Sequence, residues 1–286
     1  MKTFDEQLQQ LVIAALAEDI GSGDHSTLSC IPTNAQGKAV LKIKQDGILA
    51  GVSVAEKIFK QLDGATLFTA FKADGEPMTI GEKAFEIEAG IHTILSAERL
   101  VLNCMQRMSG IATLTKAYTH LLEGYHTKLL DTRKTTPNFR LLEKEAVKIG
   151  GGINHRFGLY DMIMLKDNHI DYAGGLVKAI QLAYEYVQNN KLDLKIEVET
   201  RNLQDVETVC SMGVGKVFRV MLDNFTPEQV FEAVKIIDGK FETEASGGIN
   251  LQTIQAYAAT GVDYVSVGGL IHQAQSLDLS LKAVLL

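Results

Sequence analysis

Basic, acidic and glycine-rich residues of this chain gather at a few short turns. The segment 131–136 reads DTRKTT, placing Asp131, Thr132, Arg133, Lys134, Thr135 and Thr136 ahead of Pro137. The segment 150–156 reads GGGINHR, in which three glycines precede Asn154, His155 and Arg156, and Lys166 follows the next apolar run. Guanidinium and ammonium groups bind carboxylates and phosphates through charge-assisted hydrogen bonds, Arg in a two-pronged geometry. The acidic counterparts are Glu197 and Glu199 in KIEVE and Asp223 in MLDN. Residues two apart in a strand share a face, so both glutamates point the same way, and Glu199 lies nearer the C-terminal end. Ser246, Gly247 and Gly248, then Gly268 and Gly269, leave backbone N–H groups free to wrap a phosphate. Cations on one side and carboxylates on the other suit a polyanionic substrate bearing hydroxyls, such as a phosphosugar with extra carboxylates or phosphates. The competing bland readings are a solvated turn at Arg133 and a structural ion pair at Glu199.

Rigid elements must hold these turns. After Thr127, short β-like runs end at Asp131, Lys166, Glu199, Asp223, Ser246 and Gly268, and most are followed by a helical pattern. The spacing of 22 to 35 residues fits strand plus loop plus helix and predicts a (β/α) barrel. Six run ends are fewer than the eight of a full barrel, so the barrel is incomplete or borrows an earlier strand; a doubly wound open sheet is the alternative. In such barrels chemistry collects at the C-terminal strand ends, with phosphate often at the last two loops. Thr226, Pro227 and Gln229 fit N-cap, N1 and N3 of a capping box. Asn250 is expected to cap a helix ending before Gly261, its C′ residue.

The first part of the chain has a different pattern. Leu8, Leu11, Val12, Ala15 and Leu16 form one face of an amphipathic helix that Gly21 and Gly23 stop. Ala39, Leu41 and Ile43 alternate along a strand from Lys38 to Lys44, and further strands are expected at 48–52, 66–72 and 84–88. Helical patterns cover 53–62 and 93–122. These predict a mixed α+β N-terminal domain over residues 1–115, not a repeating βα unit, and a barrel over 116–286 whose C-terminal tail is expected to return to the first domain.

Composition narrows the class. With 286 residues, 46% hydrophobic and 22% charged, the chain is a folded globular protein, not a disordered or low-complexity one. A net charge of -7 argues against a nucleic-acid-binding face. Cys30, Cys104 and Cys210 are scattered and lack CxxC spacing, which disfavours disulfides and zinc clusters. No stretch reaches the roughly 18 to 20 apolar residues of a membrane span, so a cytoplasmic location is expected.

The same residues carry a resemblance over nearly the whole chain to quinolinate phosphoribosyltransferase, the carboxylating nicotinate-nucleotide diphosphorylase family. It rests on EDIGSGDHST (18–27), ILAGV (48–52), SAERLVLNCMQRMSGIAT (96–113), DTRKTTPNFRLLEKEAVKIGGGINHRFGLYDMIMLKDNHI (131–170), and IEVE, MLDN, ASGGI and VSVGGL in order. The resemblance implies an N-terminal α/β sandwich domain, an incomplete α/β barrel, and conversion of quinolinate and phosphoribosyl pyrophosphate to nicotinate mononucleotide, pyrophosphate and carbon dioxide. It also implies magnesium as cofactor and a homodimer in which Arg99 reaches the partner's site. Arg99, Arg133, His155, Arg156 and Lys166 are implied to hold the quinolinate carboxylates, with Lys134 and Lys166 beside the pyrophosphate. Glu199 and Asp223 are implied at the ribose hydroxyls and metal, and Ser246, Gly247, Gly248, Gly268 and Gly269 at the 5′-phosphate, with His272 nearby. Asn138, where the resemblance leads one to expect glycine, and Arg219, in a run that is usually apolar, depart from the pattern.

Other readings remain open on the residues alone: a phosphoribosyltransferase taking a monocarboxylate such as nicotinate, a barrel aldolase using Lys166 as a Schiff base, or a non-enzymatic phosphate-binding module.

Overall fold

The computed structural model describes residues 2–284. In chain order the elements are α1 (Phe4–Ile20), α2 (His25–Cys30), β1 (Gln36–Ile43), β2 (Gly47–Ile48), α3 (Val52–Leu62), β3 (Leu67–Ala70), β4 (Pro77–Met78), β5 (Lys83–Gly90) and α4 (Ile91–Leu121). There follow β6 (Lys128–Leu130), α5 (Arg140–Ile149), β7 (Ile163–Leu165), α6 (Asp167–Ala173), α7 (Leu176–Asn189), β8 (Ile196–Thr200), α8 (Leu203–Met212) and β9 (Arg219–Asp223). The chain closes with α9 (Pro227–Ile237), β10 (Glu242–Ser246), α10 (Ile254–Ala258), β11 (Tyr264–Ser266), α11 (Gly269–His272) and β12 (Leu279–Val284). Two compact units result: Met1–Lys116 with Thr135–Gly151 and Leu270–Leu286, and Ala117–Lys134 with Gly152–Gly269.

The first unit is built on an antiparallel sheet in the order β12-β1-β5-β3. Ala39, Leu41 and Ile43 of β1 are buried on one face and Lys42 is exposed on the other, where Val40 is nevertheless buried, so the alternation holds only in part. Phe59 of α3 meets Phe85 of β5 edge to face with ring centroids 6.4 Å apart, so this helix covers the sheet. The run 48–52 divides differently from the expected strand. Ile48 pairs with Pro77 in a two-residue strand, Leu49 still exchanges backbone hydrogen bonds with Glu76 and Gly75, and Val52 already opens α3. Gly51 takes a left-handed φ of 98°, and Asp74 caps the helix by accepting from the Val52 and Ser53 N–H groups.

Glu143 of α5 is fully buried in the same unit. It accepts from Arg107 Nε and Nη2 at 3.1 and 2.9 Å, from the Thr136 N–H at 2.8 Å and from the Thr136 hydroxyl at 2.9 Å. Arg107 also donates to the carbonyls of Ile271 and Ala274, both at 2.7 Å. Gly110 lets α4 run close to this C-terminal segment, since a Cβ there would fall 1.9 Å from the Gln275 carbonyl oxygen. Removing one partner of a buried pair strands the other charge, so Glu143→Gln is expected to cost about 3 to 5 kcal/mol of stability. Urea unfolding measures this, and a loss below about 1 kcal/mol would mean that Arg107 finds compensation elsewhere.

The second unit is a six-stranded parallel sheet in the order β6-β11-β10-β9-β8-β7. β6 and β7 do not pair with each other; Ile153 instead bridges Leu130 beside β6. The barrel is therefore open, in agreement with six run ends. Thr226 caps α9 with Pro227 at N1 and Gln229 closing the capping box, and Val230, Ala233 and Ile237 form its buried stripe. Asn250 does not cap the following helix. Its side chain accepts from the Gln252 N–H and holds a turn, and α10 begins only after Thr253. Asn138 adopts a φ of 60°, a left-handed conformation that Asn tolerates better than most residues, which explains an expected glycine at that position.

Candidate active site

The loops after the parallel strands bring Arg133, Lys134, His155, Arg156, Lys166, Glu199, Asp223, Ser246, Gly247, Gly248, Gly268 and Gly269 into the second unit. Arg133 is half-buried, and its Nε has no hydrogen-bond partner. Burial and the nearby Arg133 charge together push Arg156 below its ordinary pKa. Two guanidiniums thus share a partly desolvated space, an arrangement that an anion placed between them would relieve. Arg156 is steadied by donation from Nη1 to the Met162 carbonyl at 3.1 Å. The following turn is fixed by Asp161, which accepts from the Phe157 and Gly158 N–H groups at 2.6 and 2.9 Å.

The acidic side is made by the ends of β8 and β9. Glu199 lies 3.7 Å from Lys166 Nζ, and the Asp167 N–H approaches its Oε1 at 3.4 Å. Burial first, then the charge of Asp223, raises the Glu199 pKa above the usual carboxylate range. Asp223 is raised chiefly by burial, while Lys166 and Lys134 oppose the rise and Asp167 adds to it. The predicted ion pair of Glu199 with a neighbouring cation therefore exists, yet it sits within a mixed group of Lys134, Lys166, Asp167, Glu199 and Asp223. Lys166 and Lys134 keep exposed side chains.

Gly247 and Gly248 both take left-handed φ angles, of 98° and 65°. A Cβ on Gly247 would fall 2.2 Å from Asn224 Oδ1, whereas one on Gly248 would meet nothing within 4 Å. Gly248 therefore borders open space. Gly268 and Gly269 follow β11, and Gly269 opens α11. Of the earlier glycines, Gly150 serves packing, since its Cβ would lie 2.5 Å from the Ala112 carbonyl oxygen of α4.

His155 is placed differently from the other basic residues. Its ring is buried, with Nε2 3.0 Å from Glu197 and 3.3 Å from Glu244, both fully buried carboxylates. Its N–H donates to Asp131 at 2.8 Å, and Nδ1 accepts the Arg156 N–H at 2.7 Å. Burial lowers the His155 pKa, but bonding to Glu197 and Glu244 outweighs it and leaves the value at about 9. The short approach to Nδ1 argues the other way, because an imidazolium has no lone pair there to accept the amide. That contact leaves the ring's proton on Nε2, the side facing Glu244 and Glu197. Burial and the Glu244 charge push Glu197 up to about 7. Glu244 itself is held low, since contacts with His155 and Arg219 overcome its burial. Glu244, Asp131 and the inward-facing Arg219 were not singled out from sequence as site residues; their signal is a charge inside an otherwise apolar strand or at its end.

Arg99 is exposed on α4 in the first unit, and among the described residues it makes no hydrogen bond or ion pair within the chain. His272 is also exposed and also belongs to the first unit.

An open α/β barrel that gathers arginines, lysines, two carboxylates and a glycine cradle at its strand ends is a protein built to handle phosphorylated, carboxylated anions. Its family is explicit: residues 24–109 match the quinolinate phosphoribosyl transferase N-terminal domain and residues 111–282 its C-terminal domain, and the chain belongs to that family. It is 43% identical to quinolinate phosphoribosyltransferase [decarboxylating] 1b of Nicotiana tabacum, over 98% of this chain and 83% of that protein. A probable nicotinate-nucleotide pyrophosphorylase [carboxylating] of Bacillus subtilis is 39% identical over 98% of this chain and 94% of its own. The crystal structure of NadC from Streptococcus pyogenes superposes with a TM-score of 0.89 at 40% identity, covering 99% of this chain and 98% of the other. No helix among the described residues is long and apolar enough to cross a membrane.

Proposed function

We propose that the protein transfers the phosphoribosyl group of phosphoribosyl pyrophosphate to quinolinate with decarboxylation, yielding nicotinate mononucleotide, pyrophosphate and carbon dioxide for NAD biosynthesis. The observation that carries this reading is the Arg133–Arg156 pair, two half-buried cations suited to an aromatic dicarboxylate, within the same unit as a left-handed glycine loop. Arg133, Arg156 and Lys166 bind the carboxylates and orient the pyridine nitrogen toward the ribose C1. Lys134 and Lys166 draw charge from the departing pyrophosphate. The nitrogen lone pair forms the new C–N bond as the C1–O bond to pyrophosphate breaks, and Glu199 and Asp223 stabilise the positive charge that develops on the ribose. The ring nitrogen is then cationic. The carboxylate at C2 leaves as carbon dioxide, its bonding electrons drawn toward that nitrogen, and C2 takes up a proton. Ser246, Gly247, Gly248, Gly268 and Gly269 hold the 5′-phosphate by backbone donors.

Magnesium fits the residues present. Glu199 and Asp223 are hard oxygen donors whose pKa values burial has raised, and a cation would relieve the charge they share with Asp167. Glu199 and Asp223 would be the side chains that hold it. When bound it would lower the charge on the leaving group. The same reading makes the protein a cytoplasmic homodimer with shared active sites, without nucleic-acid or membrane partners.

Release of pyrophosphate and of labelled carbon dioxide from carboxyl-labelled quinolinate should be stoichiometric, and chelation of magnesium should suppress both. Equal turnover with nicotinate and no carbon dioxide would transfer the assignment to a monocarboxylate enzyme.

A further inference from the structure

Arg219 stands at the start of β9, followed by the buried Val220, Met221 and Leu222. An apolar side chain would continue that core, and a buried ion pair rarely stabilises more than a well-packed hydrophobic replacement. Yet Arg219 is fully engaged. Nη1 donates to Glu244 at 3.0 Å, Nη2 and Nε donate to Glu242 at 2.7 and 3.2 Å, and the guanidinium lies 4.2 Å from the centre of the Tyr264 ring. Glu244 in turn lies 3.3 Å from His155 Nε2, which also contacts Glu197. The far side of the imidazole accepts the Arg156 N–H, and the His155 N–H is anchored on Asp131. A continuous polar chain thus runs from β9 through β10 and the His155 ring to the backbone of Arg156.

We propose that Arg219 and Glu244 are positioning residues for the dicarboxylate site, fixing the His155 ring so that its Nδ1 holds the backbone of Arg156 in binding register. This rests on the assignment of Arg156 to a quinolinate carboxylate. His155, Glu197 and Glu244 also offer three ligand atoms within 4.8 Å of one another, the makings of a metal site. The Arg219 cation on Glu244 disfavours that use, because it already neutralises the carboxylate and would repel a divalent ion.

Full-length Glu244→Gln and Arg219→Met should raise the quinolinate KM about tenfold or more, the scale of one weakened charge-assisted contact, while kcat and the phosphoribosyl pyrophosphate KM stay within about threefold. Arg219→Lys should recover part of the loss. Wild-type protein labelled with 15N-histidine should show His155 as the Nε2–H tautomer with an unprotonated Nδ1, and Arg219→Met should broaden or shift that pair of signals. This readout does not depend on turnover, so a wild-type chain inactive with quinolinate would defeat the functional assignment while the ring geometry was still judged. Unchanged quinolinate KM in folded variants, a wild-type His155 signal unaffected by Arg219→Met, or stoichiometric zinc or manganese lost in Glu244→Gln would each overturn the proposal.

Discussion

Arg156→Ala is expected to raise the Michaelis constant for quinolinate by roughly one to two orders of magnitude, because each charge-assisted hydrogen bond lost from a desolvated carboxylate costs about 1.5 to 3 kcal/mol. Arg133→Ala should act similarly, since its Nε is buried without a hydrogen-bond partner among the described residues. The double variant should fall short of the product of the two effects. Burial and then the Arg133 charge depress Arg156, and the two like charges share one site, so their effects are coupled and removing Arg133 relieves Arg156. Direct binding of quinolinate by calorimetry separates this from turnover. Wild-type affinity in both single variants would dismiss the carboxylate assignment. Affinity lost for phosphoribosyl pyrophosphate but not for quinolinate would move the pair to the phosphate side.

This prediction was legible in the sequence because each apolar run gives way to polar or charged residues at its C-terminal end. β6 ends at Leu130 just before Asp131, β7 ends at Leu165 just before Lys166, and β9 and β10 end on Asp223 and Ser246 themselves. Strand-end chemistry is a local signal. The direction of His155 is not, since it depends on Glu197 and Glu244 from two separate strands whose registers are set by the parallel sheet. Arg219 was hidden for the same reason: its partners lie one strand away at Glu242 and Glu244, and within its own run it only interrupts an apolar pattern. The misdivided run 48–52 also had a distant cause. Five apolar or small residues fit a strand or a buried helix start, and the cap that decides for helix comes from Asp74. The pairing of β12 with β1 joins the two ends of the chain, and no periodicity in either segment specifies its partner.

Arg99 leads to the other large effect, because its exposed charge has no hydrogen bond or ion pair among the described residues. On the reading that each subunit of a two-fold dimer donates Arg99 to the other's site, Arg99→Ala and Lys166→Ala chains are each expected to be nearly inactive. Their defects lie on opposite sides of one site. A mixed dimer then carries one site damaged twice and one site wholly intact. Random exchange of equal amounts makes about half the dimers mixed, so roughly a quarter of all sites should regain full turnover. Native mass spectrometry counts the mixed species, and pyrophosphate release counts the recovered sites. Recovery proportional to the mixed fraction would establish donation across the interface. Abundant mixed dimers with no recovered turnover would mean that Arg99 serves the chain that carries it, and each subunit would then have to complete its site alone.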